Sequence, residues 1–187
     1  RYSWKDSLGN IIGNSNKLEN IPAGKYYLEV KDTFNCKVYH TFELIQPDKI
    51  YLDIEKSLSI DKRFNINCNG DSLGYIIIKA TGGDTLYGSY TYLLDDNIIS
   101  SNYISKLKAG TYKLKVIDGI GCSIDTNIIL TEPDSIKIID YSVSNYSGYN
   151  ISCAGNNDGW INISLNGGSG NLRYLWLYEG NEIDTNK

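Results

Sequence analysis

The chain has 187 residues, with 18 Lys and Arg against 22 Asp and Glu, and a formal net charge of −4. The two signs are interspersed, without the basic stripe typical of nucleic-acid-binding proteins, and no apolar run is long enough for a transmembrane helix. Four alanines and no methionine stand against 16 tyrosines and 18 glycines, which favours strands and tight turns. We therefore expect an all-β protein that binds no nucleic acid.

The sequence repeats itself with a period of about 86 residues. The segment 21–36 returns as 107–122, and Pro47 returns as Pro133. Such a period predicts a tandem array whose units are large enough to bury their own core. Proline suits the joint between units, because it donates no backbone hydrogen bond. We expect a part of a longer array, with the end of one β-sandwich repeat, a complete repeat and the start of the next in residues 1–47, 48–133 and 134–187.

The complete repeat has the pattern of an immunoglobulin-like β-sandwich. Tyr112, Leu114 and Val116 alternate with polar residues, as in a half-buried antiparallel strand. Seven short strands in one repeat are typical of this fold. They are predicted at 49–55, 63–67, 74–80, 89–95, 102–106, 111–118 and 122–130. Tyr112 also predicts a tyrosine corner, in which its hydroxyl bonds back over the preceding turn.

The four cysteines occupy two equivalent positions of the repeat. Cys68 and Cys153 precede a glycine-rich turn, whereas Cys36 and Cys122 follow a late hairpin turn. The simplest prediction is one disulfide per repeat, Cys68–Cys122. Pairs between repeats, Cys36–Cys68 and Cys122–Cys153, and free buried cysteines remain open alternatives. Paired cysteines would place the protein outside the cytosol.

No catalytic constellation stands out. Asp95 with Asp96 and Asp53 with Glu55 are the nearest approach to paired carboxylates, but a small sandwich repeat rarely has the cleft that glycosidase chemistry needs. His40 is the one histidine, so neither a zinc site nor nucleophilic catalysis is favoured. We expect no enzymatic activity, no cofactor and no small-molecule substrate.

Two turns carry oxygen ligands that calcium could use. Segments 69–71 and 156–159 are rich in Asn and Asp, but they lack the dense ligand pattern of known calcium loops. Asn and Asp also make turns by bonding their own backbone. We therefore favour the turn role, and we expect no metal.

Aromatic residues exceed what one small core needs. Aromatic faces can stack on sugar rings or adhere to surfaces, although cross-strand packing is the ordinary alternative. The candidates are Tyr26, Tyr27, Tyr75, Tyr87, Tyr103, Tyr146, Tyr149 and Trp160.

Two strings of spaced residues resemble the SprB repeat. The first is Ser152-Cys153-x-Gly155-x-x-Asp158-Gly159-x-Ile161, followed by Gly167-Gly168 and Tyr174-x-Trp176. The second is Leu107-x-Ala109-Gly110-x-Tyr112-x-x-x-Val116-x-Asp118-x-x-Gly121-Cys122, closed by Pro133. The complete repeat departs from the pattern, because Leu73 stands in place of the Asp and Tyr92 in place of the Trp.

The resemblance implies a role and no reaction. SprB repeats occur in very large cell-surface proteins of Bacteroidetes, including adhesins of gliding motility that the type 9 secretion system exports. The implied function is a structural and adhesive module of a secreted, outer-membrane-associated filament. Its implied partners are neighbouring repeats, a polysaccharide or solid surface, and the gliding and type 9 secretion machinery. Spacer repeats of a secreted multidomain enzyme and a carbohydrate-binding module are the alternatives.

Four tripeptides resemble the O-glycosylation acceptor of exported Bacteroidetes proteins. Each reads Asp, then Ser or Thr, then an aliphatic residue, and would need a surface position to be modified. The predicted acceptors are Ser7, Ser72, Thr85 and Ser135.

Overall fold

The computed structural model describes residues 1–186, and its regular elements in that range are all strands. No helix there could cross a membrane. The strands are β1 (Tyr2–Lys5), β2 (Ile11–Gly13), β3 (Gly24–Lys31), β4 (Lys37–Leu44), β5 (Asp48–Lys56), β6 (Gly74–Gly83), β7 (Thr91–Leu94), β8 (Asn97–Ile99), β9 (Tyr103–Leu107), β10 (Gly110–Ile117), β11 (Ser123–Leu130), β12 (Lys137–Val143), β13 (Ile161–Asn166), β14 (Tyr174–Tyr178) and β15 (Asn181–Asn186).

Residues 48–133, which we call the second repeat, form two packed sheets. One has the strand order β5-β6-β9 and the other β11-β10-β7-β8. Alternate residues of the two sheets meet in one apolar core. Its buried members are Ile76, Ile78, Leu94, Leu114, Val116, Ile128 and Leu130. The prediction of an all-β, immunoglobulin-like sandwich is confirmed, and the 86-residue period stays a prediction.

The flanking segments show parts of the same topology. In the first repeat (1–47) the sheet order β2-β1-β3-β4 matches β8-β7-β10-β11, and the third repeat (134–187) contains the pairs β12-β13 and β14-β15. By contacts, the chain divides into two compact units. One comprises residues 1–49 with 82–84, and the other residues 50–81 with 85 to the end of the described chain. The three-part division at Pro47 and Pro133 remains a prediction.

One predicted strand was wrong, and one strand was missed. Segment 63–67 is a loop, because the N–H groups of Asn65 and Ile66 both donate to the Thr131 carbonyl (2.9 and 3.1 Å) instead of joining a ladder. The short strand β8 was missed. Asp95 and Asp96 both have positive φ (49° and 63°), which gives the two-residue turn that joins β7 to β8.

The second repeat has an entry end and an exit end. At the exit end β5 and β11 both finish, and the Lys56 ammonium donates to the Ile129 carbonyl (3.1 Å). The buried amide of Asn65 joins them there, since it donates to the Ser57 carbonyl (2.7 Å) and accepts from the Thr131 N–H (3.0 Å). The opposite, entry end holds the start of β5 and the β10–β11 hairpin turn at 118–122.

Candidate adhesive surface

The outward side of the β5-β6-β9 sheet presents tyrosines in neighbouring strands. Successive side chains point to opposite faces of a strand, so Tyr75 points outward while Ile76 is buried. Tyr51 on β5 is 63% exposed and Tyr103 on β9 is 51% exposed. The rings of Tyr75 and Tyr103 lie 5.9 Å apart at 41°. We call this outward side of the β5-β6-β9 sheet, which includes Tyr51, Tyr75 and Tyr103, the outer face.

Charged groups accompany these rings. The Lys79 ammonium lies 3.9 Å from the Asp53 carboxylate, and both side chains are well exposed. Glu55 follows on the same side of β5. A flat, partly apolar sheet face with polar groups between its rings can stack on a sugar ring and bond its hydroxyls.

Two tyrosines are structural. The hydroxyl of Tyr112 donates to the Lys108 carbonyl (2.9 Å), and that of Tyr26 donates to the Pro22 carbonyl (2.6 Å). The tyrosine corner predicted at Tyr112 is confirmed, and the first repeat has its counterpart. Tyr26 is only 6% exposed, so its proposed place among adhesive aromatics was wrong.

The remaining aromatic candidates belong to other elements than β5, β6 and β9. Tyr27 lies on β3, and Tyr87, Tyr146 and Tyr149 lie outside the strands. All four side chains are exposed.

An open groove of about 670 Å³ contains Trp160 in the third repeat. Apolar residues line most of it, including Ile151, Ile161 and Trp176. Ile161 corresponds in the repeat to Ile76, which belongs to the core of the second repeat. The groove is therefore the inner side of the strands β12 to β15, and it does not resemble a ligand pocket built for one molecule.

Three aspartates beside hairpin turns accept hydrogen bonds from backbone N–H groups. One carboxylate oxygen of Asp118 accepts from the N–H groups of Ile120 (3.1 Å) and Cys122 (2.8 Å), and Asp32 makes the same pair of bonds in the first repeat. Asp95 accepts from the Lys113 N–H (2.8 Å) beside its hairpin turn. These contacts explain why Asp recurs before the late hairpin.

In the two segments that were weighed as calcium sites, 69–71 and 156–159, polar side chains also make hydrogen bonds within the protein. The amide of Asn69 donates to the Pro133 carbonyl (3.1 Å) and to the Glu132 carboxylate (3.0 Å). The carboxylate of Asp158 accepts from the hydroxyl and the N–H of Ser152, and the hydroxyl bond is the main cause that lowers its pKa. Within residues 1–186 no three His, Cys, Asp or Glu side chains cluster as metal ligands would.

The structure does not bring together the two cysteines of the predicted disulfide. Cys68 lies at the exit end and Cys122 at the entry end, with the eight residues of β11 between these ends. Eight strand residues span roughly 26 Å, whereas bridged cysteines have Cα atoms within about 7 Å. A Cys68–Cys122 bond therefore does not fit this fold. Cys36, Cys68, Cys122 and Cys153 are all exposed free thiols in the structure, so buried free cysteines do not fit either.

The predicted glycosylation acceptors lie at the surface. Ser7, Thr85 and Ser135 are exposed, and Ser72 is half-buried beside the β6 start. Their modification stays a prediction.

Sequence reasoning missed two features of these surfaces. Tyr51 was not among the aromatic candidates, although its alternation with Leu52 along β5 was a usable signal. Asn65 gave no signal, because its buried bonds to Ser57 and Thr131 join segments far apart in sequence.

Within residues 1–186 the regular elements are all strands, and with a sandwich core and two tyrosine corners they define the class of β-sandwich proteins. The SprB repeat family model matches residues 149–179, a segment that contains Cys153, Asp158 and Trp176. Residues 149–179 are thus similar to the SprB repeat, as the motifs indicated, and SprB repeats are associated with cell-surface proteins. Neither the comparison with curated proteins nor that with solved structures gave a match.

Proposed function

We propose that this chain is a structural and adhesive module of a very large secreted filament that attaches gliding cells to surfaces. The family match supports a cell-surface repeat protein, and the outer face is the observation that supports adhesion. In this proposal the sandwich repeats give the filament its length. The outer faces of successive repeats touch a polysaccharide or a solid surface.

The proposed mechanism is weak contact multiplied by repetition. One outer face offers two adjoining rings, Tyr75 and Tyr103, and a third, exposed ring at Tyr51. Such a face binds weakly by itself. Many copies on one filament raise the retention by orders of magnitude, because each further contact is intramolecular. The gliding and type 9 secretion machinery are the proposed partners that export and pull the filament.

The direct test measures how well the whole chain adheres to surfaces when tyrosines of its outer face are substituted. Tyr51→Ser with Tyr103→Ser removes two exposed rings from the outer face, and Tyr87→Ser is the control, since Tyr87 is 79% exposed and lies elsewhere. Retention is measured with a quartz crystal microbalance on agarose, cellulose and glass. We expect the double variant to lose about tenfold in retention on at least one surface. Equal retention of the double variant and the control would reject the adhesive role of this face.

A second candidate is a specific carbohydrate-binding module, which the same tyrosines and the Asp53–Lys79 pair favour. The two functions differ in whether binding of a short, soluble oligosaccharide reaches saturation. A specific module binds one soluble oligosaccharide with a defined stoichiometry in calorimetry, whereas the adhesive module shows retention on coated surfaces without saturable binding of short sugars.

A further inference from the structure

Cys68 lies at the joint between the second and third repeats. Its neighbours on both sides take part in the joint. The carbonyl of Asn67 accepts from the Ser169 hydroxyl of the third repeat (3.3 Å), and the Asn69 amide donates to the Pro133 carbonyl (3.1 Å). The exposed Cys68 thiol is thus held at the end of the second repeat that faces the third.

The loop that contains Ser169 marks the entry end of the third repeat. It follows β13, whose last residue Asn166 pairs with Lys137 at the start of β12. The N–H of Gly168 also donates to the carbonyl of Asp134, directly after the joint (2.8 Å). Cys68 therefore faces the entry end of the following repeat.

In the second repeat, the entry end is where the late cysteine lies. A Cβ on Gly88, in the loop after β6, would be 3.5 Å from the Cα of Gly119 in the late hairpin. That hairpin ends at Cys122, which is exposed. The loop after β6 and the loop after β13 are equivalent in the repeat, since Gly82 and Gly167 correspond. A late hairpin in the third repeat would consequently lie beside Cys68.

We propose that neighbouring repeats are joined by disulfides. Each would link the early cysteine of one repeat, the position of Cys68 and Cys153, to the late cysteine of the next, the position of Cys36 and Cys122. In this arrangement Cys68 bonds a late cysteine of the repeat that follows, and Cys122 bonds an early cysteine of the repeat that precedes. The Cys122–Cys153 pair does not meet this geometry. Cys153 lies in the loop between β12 and β13, at the end of their ladder away from the joint.

The oxidant is a disulfide such as oxidised glutathione. One protein thiolate attacks it to form a mixed disulfide and releases one glutathione thiol. The second protein thiolate then attacks the mixed disulfide, the protein bond forms and a second glutathione thiol leaves. Two electrons and the two thiol protons thus pass from the protein to glutathione, which leaves as two thiols.

The test places two complete repeats in one chain. A second copy of residues 48–133 is inserted between Pro133 and Asp134, so that each joint keeps its Pro-Asp sequence. One variant keeps only Cys68 of the first copy and Cys122 of the inserted copy, and all other cysteines become Ser. The matched control keeps Cys68 and Cys122 of the first copy. Both are equilibrated in glutathione redox buffer, and their peptides are mapped without reduction.

We expect at least tenfold more cross-linked peptide in the variant with cysteines on neighbouring copies than in the control. Equal yields, or free thiols in both variants, would overturn the proposal. Two further measurements use chains that keep all their cysteines, so they do not depend on whether the Cys→Ser variants fold. The extended chain with all its cysteines should give the same inter-repeat peptide, and the 187-residue chain should give no Cys68–Cys122 peptide. Detection of that peptide would also overturn the proposal, without bearing on adhesion by the outer face.

Discussion

At the residue scale, a single hydroxyl closes the turn before β10. The Tyr112 hydroxyl bonds a carbonyl four residues upstream, and Tyr26 repeats the contact before β3. A hydrogen bond of this kind contributes about 1 kcal/mol to stability. We expect Tyr112→Phe to lower the free energy of unfolding by about that amount in urea titrations. Tyr87→Phe changes an exposed ring and should leave the midpoint unchanged, and an equal loss in both variants would contradict the corner's role.

The Asp61 carboxyl, in the loop after β5, makes the free energy of unfolding depend on pH. Its carboxylate accepts from the Ser59 hydroxyl (2.6 Å) and pairs with the Arg63 guanidinium (2.7 Å). The Ser59 bond is the main cause that lowers its pKa from 3.8 to about 2. Because the folded-state pKa is the lower one, this stabilisation is complete above pH 4 and is lost as the pH falls towards 2.

Asp61→Asn should therefore lower the thermal unfolding midpoint at pH 7 and lose this effect near pH 2. Asp53→Asn is the control, because that carboxylate is 79% exposed and its Lys79 partner is 3.9 Å away. Differential scanning calorimetry from pH 2 to pH 7 measures both variants. A difference between Asp61→Asn and the unchanged chain that stays constant over this range would contradict the assignment.

At the element scale, the start of β6 is packed too closely for any side chain. A Cβ on Gly74 would lie 2.8 Å from the Leu107 carbonyl and 3.0 Å from a methyl group of Leu130. Since the carbonyl belongs to the backbone of β9, which pairs with β6 in the same sheet, these two strands would have to move apart. We expect Gly74→Ala to cost about 1–3 kcal/mol in urea unfolding. Gly88→Ala meets its nearest atom at an ordinary 3.5 Å and should cost clearly less, so equal losses would refute this packing argument.

The elements differ in how far their sequences predict them. The strands β10 and β11 were predicted to within one residue, because alternation and the turn at Asp118 act locally. Segment 63–67 has similar apolar residues, but its backbone bonds Thr131, which the local pattern does not contain. The outer face depends in the same way on the register that sets Ile77 opposite Tyr103. The positions of Cys68 and Cys122 at opposite ends follow only once the strand directions are known.

At the scale of the whole molecule, the proposed disulfides would decide how a pulled filament extends. Each repeat that unfolds without a cross-link releases about 86 residues, or roughly 290 Å of extended chain. A bond from Cys68 of one repeat to the late cysteine of the next encloses about 140 residues, which correspond to roughly 480 Å. Tension then passes through the disulfide and bypasses that length. A filament joined in this way would transmit force with little extension, as the proposed attachment function requires.

Single-molecule pulling of the extended chain with its inserted copy tests this consequence. After oxidation by glutathione disulfide, we expect the total extension to be shorter by roughly 480 Å than in the same chain under dithiothreitol. Cys68→Ser in the first copy is the matched control and should extend equally in both conditions, because the enclosed length depends on that thiol. Equal extension of the oxidised and reduced parent chains would show that its repeats unfold as independent beads, and force would then be limited by each sandwich core alone.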